Sequence, residues 1–184
     1  MIVKNKKPVV SDTGGSILFL LLLALMSFSF VSDFNRIEVA DEIMGVERPS
    51  IAPVNLAKAK IGDGYGYRIH PATKENKMHT GIDFILPEGE LVTATADGVV
   101  IEVGDDKYRG TYVTIKHNVV YTTSYSHLKS AVVKVRDKIT KKQLLGYVGS
   151  TGKASSGPHL HYEVLKDGEH VNPLDYLPKS VGAK

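Results

Sequence analysis

Two histidines separated by one residue lie near the C-terminus, within residues 156–164 (SGPHLHYEV). The Gly-Pro pair ahead of them is typical of a turn that leads into a strand. Because successive strand side chains point to opposite faces, His159, His161 and Glu163 would share one face. The opposite, core-facing side would carry Leu160, Tyr162 and Val164. Two imidazoles on one face could serve one metal ion or one reacting group, unless the face is simply an exposed one that happens to carry two histidines.

A second candidate group lies upstream, where His79 and Asp83 are four residues apart. This spacing puts both side chains on one side of a strand or a helix, and Gly81 between them favours an extended segment. Imidazole and carboxylate are good zinc ligands, and a catalytic zinc ion has three protein ligands and one open position. Together with one histidine of the downstream pair, these residues could supply such a set.

Other histidines could take part in chemistry or serve only the fold. His127 closes a β-like run at a turn, from where it could project into a cleft or simply cap the strand. His117 alternates in phase with apolar residues, which predicts a hydrogen-bonded inward position. His170 follows an Asp-Gly turn and is expected to be solvated. Glu163 could hold an imidazole N–H of a metal ligand, although strand glutamates usually face solvent.

The elements that must position these residues are short strands. From about residue 61, β-like runs alternate with turn residues, which predicts a compact, mainly β domain with an antiparallel sheet. The candidate strands are Leu91–Thr95, Gly98–Val103, Thr111–His117, Tyr121–His127, Ala131–Val135, Leu144–Val148 and His159–Leu165. A βαβ succession has no room here, so a wound parallel sheet is not expected.

Composition excludes several kinds of site. The 184 residues include no cysteine, so neither a disulfide nor a thiolate ligand is possible, and a metal must be held by His, Asp or Glu. Of the formal net charge of +3, residues 1–31 carry +2. The rest of the chain is therefore nearly neutral, and without a basic patch no nucleic-acid partner is expected.

The N-terminus predicts export. A basic, polar start is followed by the 15 apolar or serine residues 17–31 (ILFLLLLALMSFSFV). This hydrophobic helix is a signal peptide or a membrane anchor; its length and the poor cleavage site favour an uncleaved anchor. The chain would then face the periplasm or cell wall from the inner membrane, or be secreted or periplasmic if cleaved. Residues 32–60 are predicted to be a linker, 61–178 the catalytic domain and 179–184 a tail.

Seven short motifs over residues 62–177 together carry a family resemblance. They are Gly66–Pro71, Met78–Asp83, Thr95–Val100, Tyr125–Leu128, Gly146–Gly152, Gly157–Glu163 and Val171–Pro173. In order and spacing they resemble the lysostaphin-type zinc metallopeptidases, the peptidoglycan endopeptidases of family M23 that share the LytM domain.

The resemblance implies a role for each matching position. His79, Asp83 and His161 would bind one zinc ion, while His127 and His159 would orient or deprotonate the attacking water and stabilise the tetrahedral intermediate. A zinc-dependent endopeptidase acting on peptidoglycan stem peptides or cross-bridges follows. Two alternatives remain: a zinc-containing domain that activates or scaffolds other wall hydrolases, and a zinc peptidase that acts on exported proteins. The sequence does not identify a regulatory protein partner.

Overall fold

The computed structural model describes residues 47–69 and 74–178. These residues form twelve strands and one short 3₁₀ helix, Pro173–Tyr176. The strands are β1 (Lys60–Ile61), β2 (Gly66–Ile69), β3 (Asn76–His79), β4 (Ile82–Ile85), β5 (Leu91–Thr93), β6 (Gly98–Asp106), β7 (Gly110–Lys116), β8 (Tyr121–Ala131), β9 (Lys138–Ile139), β10 (Leu144–Val148), β11 (His159–Lys166) and β12 (Glu169–Val171).

Ten of these strands form one antiparallel sheet. Its main path runs β1-β4-β11-β8-β7-β6-β9, while β10 pairs with β5 and β8, and β12 pairs with β11. Strands β2 and β3 form a separate two-stranded sheet. The prediction of a mainly β, antiparallel domain is therefore confirmed.

One apolar core lies under the central strands. It is built from alternating residues, as the strand period requires. In β11 the residues Leu160, Tyr162 and Val164 are fully buried, and their neighbours His159, His161 and Glu163 are only half-buried on the other face. The alternation predicted for this strand is confirmed.

The core also contains a polar network. The Tyr162 hydroxyl donates to Thr95 Oγ1 at 3.0 Å, and the Tyr125 hydroxyl lies 3.1 Å from the same oxygen and 3.0 Å from Thr123 Oγ1. His117 extends the network, because its Nε2 lies 2.8 Å from Thr123 Oγ1 and its Nδ1 donates to the Asp97 carbonyl. His117 is thus the inward, hydrogen-bonded residue that the sequence predicted.

Two structural predictions are wrong. Ala131–Val135 is not a separate strand, because Ala131 ends β8 and the chain then leaves the sheet towards a turn at residues 135–136. His170 lies in β12 and not in the preceding turn; its side chain is 37% exposed, while its Nδ1 is buried 3.9 Å from the Glu163 carboxylate. The short hairpin that joins β11 to β12 pairs His170 with Leu165 of β11.

The N-terminal predictions lie mostly outside the described residues. The expected helix at 17–31, most of the expected linker and the tail at 179–184 are among the residues not described. No helix within the described ranges is long and apolar enough to cross a membrane. The later part of the expected linker packs on the sheet: Val54 is buried in the core, and the Pro53 carbonyl accepts a hydrogen bond from the Thr93 amide.

Candidate metal centre and catalytic cleft

Three predicted residues converge at one point. His161 Nδ1 lies 2.8 Å from Asp83 Oδ1 and 3.1 Å from His79 Nε2, and the latter two atoms are 3.4 Å apart. Ligands about 2.0–2.1 Å from a tetrahedral zinc ion are separated by about 3.3 Å. The spacing of these three atoms therefore fits a small ion with His/His/Asp ligands.

The other nitrogen of each of these imidazoles is held by a fixed acceptor. His79 Nδ1 donates to the Gly64 carbonyl at 2.7 Å, and His161 Nε2 donates to Glu163 Oε1 at 3.1 Å. Because both acceptors lack a proton to give, the N–H must lie on those nitrogens, and in the neutral rings the lone pairs on His79 Nε2 and His161 Nδ1 face the common point. Such partners are what orient ligands in metal sites.

The same contacts set the charges. Burial would raise the pKa of Asp83, but hydrogen bonds from His161 and His79 hold it well below its ordinary value. Burial would lower the pKa of His161, yet its bonds to Asp83 and Glu163 outweigh this and raise it to about 9. Without an ion, a proton on His161 thus offsets one of the two carboxylate charges. A bound cation would replace that proton.

The chain brings His79 and Asp83 together by a route that the sequence did not predict. His79 ends β3 of the small sheet, the chain bends at residues 80–81, and Asp83 lies in β4 of the main sheet. They do not share one extended segment. A Cβ on Gly81 would lie 2.4 Å from the Tyr162 carbonyl and 2.9 Å from His161 Cε1, so glycine is required there for this bend to pass beside the ligand.

His127 reaches the cleft through a β-bulge. Between the pairs Thr111–Leu128 and Val113–Tyr125, two residues in β8 oppose one in β7. His127 itself has a φ of 64°, in the left-handed region that few non-glycine residues adopt. Tyr125 and Leu128, on either side of the bulge, remain in the core. The bulge therefore turns His127 towards the site without disrupting core packing.

The rings of His127 and His159 contact each other in the cleft. Their ring centroids are 4.7 Å apart, and His127 is 6.0 Å from His161. His127 Nδ1 donates to the Thr151 carbonyl and His159 Nδ1 to the Gly157 carbonyl, which leaves Nε2 as the unprotonated nitrogen in each neutral ring. Burial, with the nearby histidines, lowers the pKa of His127 to about 4. Both side chains can therefore accept a proton at Nε2.

All five predicted site residues line this one cleft. Two further residues belong to the cleft. For Glu163 the sequence left two alternatives, a partner of an imidazole N–H or a solvent-facing side chain, and the structure shows the first: it accepts hydrogen bonds from His161 and from the Thr80 hydroxyl. Arg109 also lines the cleft, and no sequence motif pointed to it. The alternation in β11 places Glu163 beside His161, which was the one available signal.

Known proteins are similar to this chain. The profile of peptidase family M23 matches residues 77–173. A peptidoglycan DD-endopeptidase of Vibrio cholerae, ShyC, is 42% identical over 106 residues, which are 58% of this chain and 24% of ShyC. The chain therefore spans about a quarter of that curated relative.

Two solved structures are similar as well. A zinc-containing peptidase from Vibrio cholerae has a TM-score of 0.65 at 37% identity, over 75% of this chain and 41% of that one. The catalytic domain of the antimicrobial peptidase lysostaphin from Staphylococcus simulans has a TM-score of 0.58 at 31% identity, over 66% of this chain and 93% of that one.

Proposed function

Because the chain belongs to peptidase family M23, we propose that it is a zinc-dependent endopeptidase that hydrolyses peptide bonds in the stem peptides or cross-bridges of bacterial peptidoglycan. The observation that carries this proposal is the convergence of His79 Nε2, Asp83 Oδ1 and His161 Nδ1 within 3.4 Å of one another. Peptidoglycan as the substrate is supported by the relatives named for that activity.

In this proposal His79, Asp83 and His161 are the metal ligands. When bound, zinc supplies a positive charge that acidifies water and polarises the scissile carbonyl. Two neutral imidazoles and one carboxylate leave a net charge of +1 on such a centre, so a developing oxyanion is attracted to it. The hydrogen bonds to Gly64 and Glu163 hold both imidazoles in the required tautomer.

His127 and His159 are the proposed catalytic residues. With its Nδ1–H fixed by Thr151, His127 can accept the proton of the attacking water at Nε2 and later return it to the leaving amine. His159, whose Nε2 is 3.9 Å from Asp83 Oδ1, lies beside the His127 ring and can donate to the developing oxyanion when protonated. No glutamate base is needed, since the cleft already holds two unligated imidazoles.

We further propose that residues 61–178 form the peptidase domain and that the chain acts outside the cytoplasm, where peptidoglycan lies. Residues 17–31 would deliver it there as a signal or hold it at the membrane. The hydrophobic character of this segment supports the proposal.

The test is a digestion of purified cell walls by the 184-residue chain. We expect new peptide ends that disappear when a chelator removes the metal and return with added zinc, and mass spectrometry of the products identifies the bond. An unrelated glycine-rich protein serves as the control substrate. Cleavage of that protein instead would indicate a peptidase for exported proteins, and zinc binding without cleavage of either would indicate an activator or scaffold.

A further inference from the structure

Arg109 is held rigidly at the edge of the cleft. Its Nε donates to Asp106 Oδ2 at 2.6 Å, and its guanidinium lies over the Tyr112 ring at 3.5 Å from the centroid. Asp106 Oδ1 also accepts the amides of Tyr108 and Arg109, which fixes the turn between β6 and β7. Within residues 47–69 and 74–178, nothing accepts a hydrogen bond from the two Nη groups of Arg109.

This turn is bound tightly to the catalytic residues. The Arg109 carbonyl accepts the amide of His127 at 2.9 Å. On the other side, the amides of Lys153 and Ala154 donate to the carbonyls of Lys107 and Tyr108. The loop that carries the Thr151 carbonyl, which orients His127, is thus joined to the turn that carries Arg109. Backbone contacts therefore hold the main chain of Arg109 beside His127, and the Asp106 and Tyr112 contacts orient the guanidinium from there.

Three cations line the cleft, Arg68, Lys77 and Arg109, together with two carboxylates, Asp83 and Glu163. Both carboxylates already accept hydrogen bonds from His161. Arg68 and Lys77 pair with exposed carboxylates outside the lining, Asp63 and Glu75. Arg109 also contacts a carboxylate, Asp106, but only through Nε. Its stacking on Tyr112 holds the guanidinium plane, so that the edge formed by the two Nη groups can donate to a ligand.

A planar pair of donors matches a carboxylate, which can accept two parallel N–H bonds. We propose that Arg109 binds a free carboxylate of the peptide substrate beside the scissile bond, so that the preferred substrate is an acidic peptide rather than its amidated form. The inference rests on the proposed function and specifies its substrate. A guanidinium already ordered by Tyr112 and Asp106 loses little entropy on binding.

The test compares two forms of one cell-wall preparation. Half is treated with carbodiimide and ammonia, which converts free stem-peptide carboxylates to carboxamides, and both halves are digested by the zinc-loaded 184-residue chain. We expect kcat/KM to be about tenfold to a hundredfold higher on the carboxylate form, the usual range for a charge-assisted hydrogen bond. In Arg109→Gln the two forms should be cleaved at equal rates.

Two further variants keep the result interpretable. Arg109→Lys retains the charge but not the planar fork, and should retain only part of the preference. Lys58→Gln removes a cation that pairs with Glu90 outside the cleft, and should retain all of it. Equal cleavage of both forms by the wild type, or an unchanged preference in Arg109→Gln or Arg109→Lys, would overturn the inference. A wild type that cleaves neither form would instead contradict the proposed function.

Discussion

Polar groups on the two faces of the β8–β11 strand pair differ in how their hydrogen bonds are satisfied. On the core face, Tyr125 and Tyr162 are fully buried, and both of their hydroxyls are hydrogen-bonded to Thr95 Oγ1. On the cleft face, His127 and His161 each have one nitrogen held by a protein acceptor and one that faces the cleft. The core network is complete within the protein, whereas the cleft residues are oriented for something the protein itself does not supply.

This difference separates groups that stabilise the fold from groups that serve chemistry. A polar group in the core contributes about 1 kcal/mol net and is costly if left unpaired. A half-buried imidazole with one free lone pair adds little to stability, but it is ready to bind a cation or a proton. Substitutions on the cleft face should therefore change activity far more than stability, and those on the core face the reverse.

The largest expected effect is on His127. His127→Ala should lower kcat by about 10²–10⁴-fold, because it removes the proposed proton acceptor. Zinc content and the urea midpoint should change little, since the ring is not one of the three proposed ligands. Stopped-assay kinetics on cell walls, with zinc measured in the same samples, check this. A loss of zinc together with activity would place His127 among the ligands instead.

The second effect concerns Glu163, which holds the Nε2–H of His161. Glu163→Ala should weaken zinc affinity by about 10–100-fold, the usual cost of removing a partner that orients a metal ligand. Competition with a calibrated chelator measures this without reference to activity. Glu169→Ala, which removes an exposed carboxylate on β12, is the matched control and should leave the affinity unchanged. Equal affinities in the two variants would refute the orienting role.

Substitutions on the core face should lower stability more than activity. Tyr162→Phe removes the hydroxyl that donates to Thr95, and we expect the free energy of unfolding to fall by about 1 kcal/mol. Activity under native conditions should stay within about twofold of the wild type. Urea unfolding gives the first value and wall digestion the second. A strong loss of activity in a stable variant would mean that the two faces are coupled.

The smallest expected effect is a dependence of folding stability on pH that arises from His117. Burial lowers its pKa from the ordinary 6.5, despite the Asp97 carbonyl, so the folded chain resists a proton that the unfolded chain accepts. Stability is therefore full above about pH 6.5 and falls as the pH drops below it. The fall in urea midpoint between pH 7.5 and pH 5 should be smaller in His117→Gln than in the wild type. An identical fall in both would exclude His117 as a contributor.

From the sequence, the residues that line the cleft were predicted more accurately than the course of the backbone between them. Alternation placed His159, His161 and Glu163 on one face of β11, because local strand geometry decides this. The bulge at His127 and the turn beyond His79 could not be predicted from alternation. The bulge depends on pairing with β7, and the turn depends on close packing of Gly81 against Tyr162. The contact between His170 and Glu163 likewise depends on tertiary pairing.

Resemblance to a family supplied the choice of His161 over His159 as a ligand, which spacing alone left open. The register of strand pairing in the structure supports this choice. His161 is directly opposite Asp83 in the β11–β4 pair, whereas His159 is opposite Ile85. Arg109 had no local signal at all, because its place beside His127 arises from contacts between the β6–β7 turn and a loop forty residues away.

The most direct test of the account is to measure zinc and wall cleavage in the wild type beside His161→Ala. The account predicts about one zinc per chain and new peptide ends for the wild type, and neither for His161→Ala, with both proteins folded by circular dichroism. Well-folded wild type that binds no zinc, or His161→Ala that still binds it and still cleaves the wall, would contradict the assignment of His79, Asp83 and His161 as the metal centre.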